Sequence, residues 1–158
     1  MHTIVDSPLG ELTVVADGTG ALTGLYFEKH RGKPASVGPY TDSRFTEVRR
    51  QLGEYFAGER TRFSLPLARA GDPFELKVWE LLEAIPYGST RSYGDLAREL
   101  GDVSLAQAVG AANGKNPLCV IVPCHRVVGA DGRLVGYAGG LVRKRQLLDL
   151  EQSDSRLF

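Results

Sequence analysis

The chain changes texture once, at Gly71-Asp72-Pro73. That break constrains the fold more than any other feature. Before it, short β-like runs alternate with turn chemistry. Thr3 to Asp6, Glu11 to Ala16 and Leu22 to Phe27 are separated by Ser7-Pro8-Leu9-Gly10 and Asp17-Gly18-Thr19-Gly20, which predicts antiparallel hairpins. Arg31 to Pro39 reads as a loop. Phe45, Val48, Leu52, Tyr55 and Phe56 then fall on one helical face that stops at Gly58, and Arg62 to Leu67 reads as one more short strand. After the break the pattern turns helical. Phe74, Val78, Leu81, Leu82 and Ile85 make one apolar face, and Tyr93, Leu96, Ala97 and Leu100 make a second. Ser104 is placed to cap a third helix running to about Gly114, and a last helix spans Leu141 to Leu150. The expectation is an α/β protein. A small antiparallel sheet-plus-helix domain at 1–68 and a linker at 69–73 precede a mostly helical domain at 74–158.

Helices Ser92–Leu100 and Leu105–Gly114, with a short turn between them, have helix-turn-helix proportions. The second carries Ala106, Ala108, Gly110, Ala111, Ala112 and Gly114. Such small residues allow very close approach to another surface, or equally tight packing inside the protein.

Formal net charge is zero, so overall charge argues for neither nucleic acid nor membrane. Its distribution says more. From Val103 to Gln146 stand Lys115, Arg126, Arg133, Arg143, Lys144 and Arg145 against Asp131 alone, a local basic excess suited to a polyanion. No run is apolar enough for a membrane span, and the N-terminus has no secretory pattern. His2, His30 and His125 are scattered without zinc-ligand spacing, so neither metal nor cofactor is expected.

The densest chemistry lies in Ile121-Val122-Pro123-Cys124-His125-Arg126. Val120-Ile121-Val122 reads as a buried strand, which Pro123 ends, so Cys124 stands at its edge. Cys119 lies five residues earlier. On a strand that odd spacing points the two thiols to opposite faces, arguing against a disulfide and for a reduced, cytoplasmic protein. His125 is of the right type to deprotonate a cysteine nucleophile. Adjacent side chains diverge, however, so a water or an unusual turn would have to connect them. A buried cysteine beside a surface histidine fits the same spacing.

Pro123-Cys124-His125-Arg126-Val127, preceded by Asn116-Pro117, resembles the active-site signature of the O6-alkylguanine-DNA alkyltransferases. The resemblance extends along nearly the whole chain. Asp6-Ser7-Pro8-Leu9-Gly10 and Tyr55-Phe56-Ala57-Gly58 are similar to that family's N-terminal domain, and Tyr87-Gly88 with Ser92-Tyr93 to the entry of its helix-turn-helix. Ala108-Val109-Gly110 resembles its second helix, Gly136-Tyr137-Ala138-Gly139-Gly140 its substrate loop, and Lys144 to Glu151 its closing helix.

The resemblance implies a DNA-repair function: irreversible, single-use transfer of an alkyl group from O6-alkylguanine, and by extension O4-alkylthymine, onto Cys124. The partner it implies is double-stranded DNA, entered through the minor groove with the damaged base flipped out. Among the catalytic roles, His125 would accept the thiol proton through a bridging water and Glu151 would orient His125. Asn116 would tie the recognition helix to the active-site turn, and Tyr93 would hydrogen-bond to the guanine ring. Ala106, Gln107, Ala108, Gly110 and Arg126 would meet DNA. Tyr137 and the backbone N–H of Ala138 would wall the base pocket. The sequence departs from the family at Gln107, where an arginine is usual and fills the hole left by the flipped base. Two other functions stay open at this level: alkyl transfer to or from a small molecule on the same scaffold, and lesion sensing without chemistry. Relatives of the sensing type lack the cysteine present here.

Overall fold

The computed structural model describes residues 1–156, with side chains to Gln152. Three antiparallel strands open the chain: β1 (His2–Val5), β2 (Leu12–Ala16) and β3 (Leu22–Tyr26), in spatial order β1-β2-β3. Both connections are the expected turns. Ser7 Oγ caps its turn at 2.6 Å from Gly10 O, and the Asp17 carboxylate accepts from Thr19 N at 2.8 Å. Gly20, at φ +91°, takes a conformation that a side chain would strain.

Helix α1 (Thr46–Phe56) covers this sheet with Val48, Leu52 and Tyr55. The stretch 62–67, expected as a strand, makes only an isolated bridge, Leu67 to Leu22. Pro66 lacks the N–H that a ladder needs at that point. Gln51 instead holds the segment, accepting from Ser64 N and donating to Ser64 O.

Helix α2 (Pro73–Glu83) starts where the texture changes. Asp72 and Glu75 form a reciprocal capping box with Pro73 at the first helical position, so the last residue of the expected linker is already helical. The Trp79 indole donates to Ala112 O at 2.9 Å and pins α2 to α4 (Ala106–Gly114). A second capping box, Ser92 with Asp95, starts α3 (Tyr93–Glu99). Ser104 does not cap the next helix. Asp102 caps a 3-10 turn at Val103–Leu105, and α4 (Ala106–Gly114) follows without a side-chain cap. Asp102 begins the turn earlier than the apolar pattern indicates. The final helix, α5 (Leu141–Arg156), is longer than the expected 141–150 and buries Leu147 and Leu148.

A two-residue parallel pair that periodicity cannot reveal joins β4 (Arg91–Ser92) to β5 (Val127–Val128). It sets the start of α3 beside the residues just after His125. The sheet reaches the same region, because Leu25 N donates to Pro117 O at 2.8 Å. One apolar core is continuous across both halves, joining Leu25, Phe27 and Tyr55 to Leu118, Val127 and Leu147. No helix among the described residues is long and apolar enough to cross a membrane.

Candidate active site

Residues 118–124 are not a strand. Val122 N donates to Leu118 O and Cys124 N to Val122 O, both at 2.8 Å, so the segment coils back on itself. Val120 sits at φ +74°, the only non-glycine with positive φ among the described residues. For a β-branched residue this costs about 1–3 kcal/mol and persists only where the surroundings enforce it. They do so here: Leu118, Val120 and Val122 are buried. Asn116 braces the coil from beneath, donating to Val122 O at 2.8 Å and accepting from Leu118 N at 3.0 Å. Asn113, at the end of α4, donates to Cys124 O at 3.3 Å. Two prolines, Pro117 and Pro123, bracket the coil, and β-branched composition alone misleads about it.

This coil overturns the expected placement of the two thiols on opposite faces. Cys119 Sγ and Cys124 Sγ are 3.7 Å apart, both free and both buried. The Cys119 hydrogen bond is the largest influence on Cys124 and lowers its pKa. Burial opposes this, while Asn116 and the Lys144 charge add to it. Cys119 moves the other way, well above the ordinary thiol value, through the same hydrogen bond and then burial. Cys124 is therefore the thiol that ionises.

Behind Cys124, a 3-10 turn over Cys124–Arg126 sends His125 inward, where it is fully buried. His125 Nε2 lies 2.8 Å from Glu151 Oε2. Glu151 also accepts from Tyr55 OH at 2.6 Å, from Arg126 Nε at 2.8 Å and from Arg126 Nη2 at 2.9 Å. Burial alone would raise the Glu151 pKa, but the bonds and charges of His125 and Arg126 outweigh it and hold the carboxyl at about 2. His125 is shifted downward, burial outweighing the pull of Glu151. With Arg126 as counter-ion, the Glu151 charge is met without a second cation. A neutral His125 that donates from Nε2 keeps a lone pair on Nδ1, a buried atom with no hydrogen-bond partner among the described residues.

Arg126 is thus not at a DNA surface, as its place in the signature suggested. It is 7% exposed, and its third hydrogen bond goes to Ile85 O at 2.7 Å. A buried guanidinium needs a carboxylate, and the inward-facing 3-10 turn brings Arg126 to Glu151 of α5. Lys144 is buried as well, its ammonium 3.1 Å from Gly136 O and 5.9 Å from the Tyr93 ring centre, with burial lowering its pKa to about 8.

In front of Cys124 opens a cleft of about 390 Å³. Tyr93, Ala106, Gln107, Gly110, Tyr137 and Ala138 line it. Gln107 is exposed at its mouth, while Ala108 is exposed on α4 outside the lining. The Tyr93 hydroxyl donates to Val135 O at 2.8 Å. The loop carrying Tyr137 is pressed onto the sheet, and a Cβ at Gly139 would stand 2.4 Å from the Phe27 ring, so only glycine fits. Sequence reasoning missed Tyr55, Asn113 and Lys144 as partners of the site, and Arg31 at the cleft. Only their contacts in the folded chain reveal them.

A cysteine nucleophile lies under a cleft walled by a helix-turn-helix with small residues, and a buried His–Glu pair stands behind it. Together these define a protein that brings a group bound near a helix-turn-helix to one thiol. Residues 73–153 match the DNA binding domain of 6-O-methylguanine DNA methyltransferase, and residues 1–69 match that family's ribonuclease-like domain. The chain belongs to the 6-O-methylguanine DNA methyltransferase family. It is 48% identical to the methylated-DNA–protein-cysteine methyltransferase of Mycolicibacterium paratuberculosis, over 96% of this chain and 92% of that protein. The protein of the same description from Mycobacterium leprae is 47% identical, over 94% and 90%. The crystal structure of Mycobacterium tuberculosis OGT in complex with DNA superposes with a TM-score of 0.87 at 47% identity, covering 96% of this chain and 92% of that one.

Proposed function

We propose that the chain repairs double-stranded DNA by moving the alkyl group of O6-alkylguanine onto Cys124, once per molecule. The observation that carries this is the position of Cys124, at the foot of the cleft with the His125–Glu151 pair behind it. The damaged base, flipped from the duplex, enters between α4 and the Tyr137 loop. The Cys124 proton passes through a water to His125 Nδ1, and the Glu151 carboxylate offsets the resulting charge. The thiolate attacks the alkyl carbon, the carbon–O6 bond breaks, and guanine leaves with its electrons. The Tyr93 hydroxyl leaves Val135 O for the guanine ring and reduces the charge that develops there. The Ala138 N–H serves the O6 atom, and Tyr137 walls the pocket. Asn116 holds the turn in register with α4. The thioether has no path back to a thiol, so the step is final.

Ala106, Gln107, Ala108 and Gly110 face the minor groove, where small side chains let the helix approach. Alkyl groups on O4 of thymine are a second substrate of the same chemistry. The division into 1–68 and 74–158 belongs to this reading and is supported by family matches that meet between 69 and 73. Its last two residues lie outside the described ones. The location proposed is the cytoplasm, where both thiols stay free. The test is single-turnover reaction with duplex DNA carrying one O6-methylguanine. Stoichiometric demethylation that is lost in Cys124→Ala supports the reading, and sustained turnover contradicts it.

A further inference from the structure

Cys119 is a buried nucleophile that the repair reaction does not consume. Its sulfur is 3.7 Å from that of Cys124, within hydrogen-bond reach for two thiols on one short coil. A disulfide holds its sulfurs about 2.05 Å apart, so the two thiols start within about 2 Å of bonding distance. The two thiols are also differentiated. Cys124 borders the cleft, whereas Cys119 is fully buried behind it. His30 completes the arrangement. Its Nδ1 accepts from Phe27 N at 3.2 Å, which leaves the proton on Nε2, and Nε2 is 3.9 Å from Cys119 Sγ. Burial and the nearby Lys33, Arg143 and Arg31 charges lower the His30 pKa to about 4, so it remains a neutral donor. An N–H directed at Cys119 favours negative charge developing on that sulfur.

We propose that Cys119 and Cys124 form a reversible disulfide under peroxide, a modification site that withdraws the alkyl acceptor and protects it from irreversible oxidation. The Cys124 thiolate attacks one peroxide oxygen, the O–O bond breaks, and Cys124 becomes a sulfenic acid while the peroxide is reduced to water. Cys119 then attacks the Cys124 sulfur. Its proton and the sulfenic hydroxyl leave as a second water, and the S–S bond forms. Two thiols and one hydrogen peroxide thus give one disulfide and two waters. A protein without the second thiol has no resolving partner for the sulfenic acid, and further peroxide oxidises it to sulfinic acid, which thiol reductants do not reverse.

The experiment treats the full chain with hydrogen peroxide and reads intact mass, then peptide maps after blocking free thiols in denaturant. The wild type is expected to lose two hydrogens, to yield a linked 119–124 peptide, and to regain activity with dithiothreitol. Cys119→Ser is expected to gain oxygen atoms on Cys124 and, relative to its own unoxidised activity, to regain about tenfold less. Oxygen addition at Cys124 in the wild type, with Cys119 still open to alkylation, overturns the proposal. So does equal recovery of the two proteins. The mass readout needs no DNA, so this failure is distinct from a failure of the repair reading, which unoxidised protein tests separately.

Discussion

Replacing Glu151 by Gln removes one charge from a buried group that accepts four hydrogen bonds. The carboxylate is 1% exposed and accepts from Tyr55, His125 and the Nε–Nη2 edge of Arg126. Its pKa of about 2, against 4.5 ordinarily, corresponds to about 3 kcal/mol favouring the ionised form in the fold. Removing one member of a buried pair costs about 3–5 kcal/mol by an independent route, because Arg126 keeps an unmatched charge. A loss of about 3–4 kcal/mol is therefore expected in urea unfolding at neutral pH. The pH dependence separates this from simple mispacking. A carboxyl with a depressed folded pKa contributes its stability above 4.5 and loses it as pH falls through 2. Wild type and Glu151→Gln should thus differ fully at pH 5 and above, and converge toward pH 2. A difference under about 0.5 kcal/mol at neutral pH, or one that stays constant on acidification, would refute the reasoning.

Burial holds the His125 pKa below 6.5, so the single-turnover rate should keep its plateau below pH 6.5 and decline only at lower pH. An acid limb centred above 6.5 would mean that His125 is not the base. Gln107→Arg should speed repair of duplex DNA and scarcely alter the reaction with free O6-benzylguanine, because only the duplex requires flipping, at a few kcal/mol. Equal changes on the two substrates would place Gln107 in the chemistry or the fold. Of the six basic residues between Val103 and Gln146, Arg126 and Lys144 are buried and Arg143 is bonded to Leu9 O and Gly139 O, which leaves Lys115, Arg133 and Arg145 for phosphates. DNA affinity should therefore fall with salt at a log–log slope of about −2 to −4, and a flat response would contradict duplex binding.

The sequence carried the hairpins, α1 and the helix-turn-helix because each is specified locally. Turn residues bracket β2, Asp72 and Ser92 mark helix starts, and Pro73 fits only a first turn. It misdirected at 120–122, where three β-branched residues have strand propensity but the bonds of Asn116 and the prolines on either side impose a coil. That single misreading hid the Cys119–Cys124 contact. Glu151 and His125 were recognised through the resemblance. The residues that complete them come from far away: Tyr55 is 96 positions from Glu151, and no local pattern announces such a pairing. Arg126 misled for a related reason. A basic residue beside a reactive cysteine suggests phosphate binding, and only the inward turn of the backbone assigns it to Glu151 instead.

The most direct measurement is the intact mass of the protein after reaction with duplex DNA containing O6-methylguanine, followed by peptide mapping. The mass should rise by one methylene, saturate at one per molecule with excess DNA, and map to Cys124. Cys124→Ala should gain nothing. A label on Cys119, more than one methyl per chain, or repaired DNA beside unmodified protein would each contradict the assignment of Cys124 as the terminal acceptor.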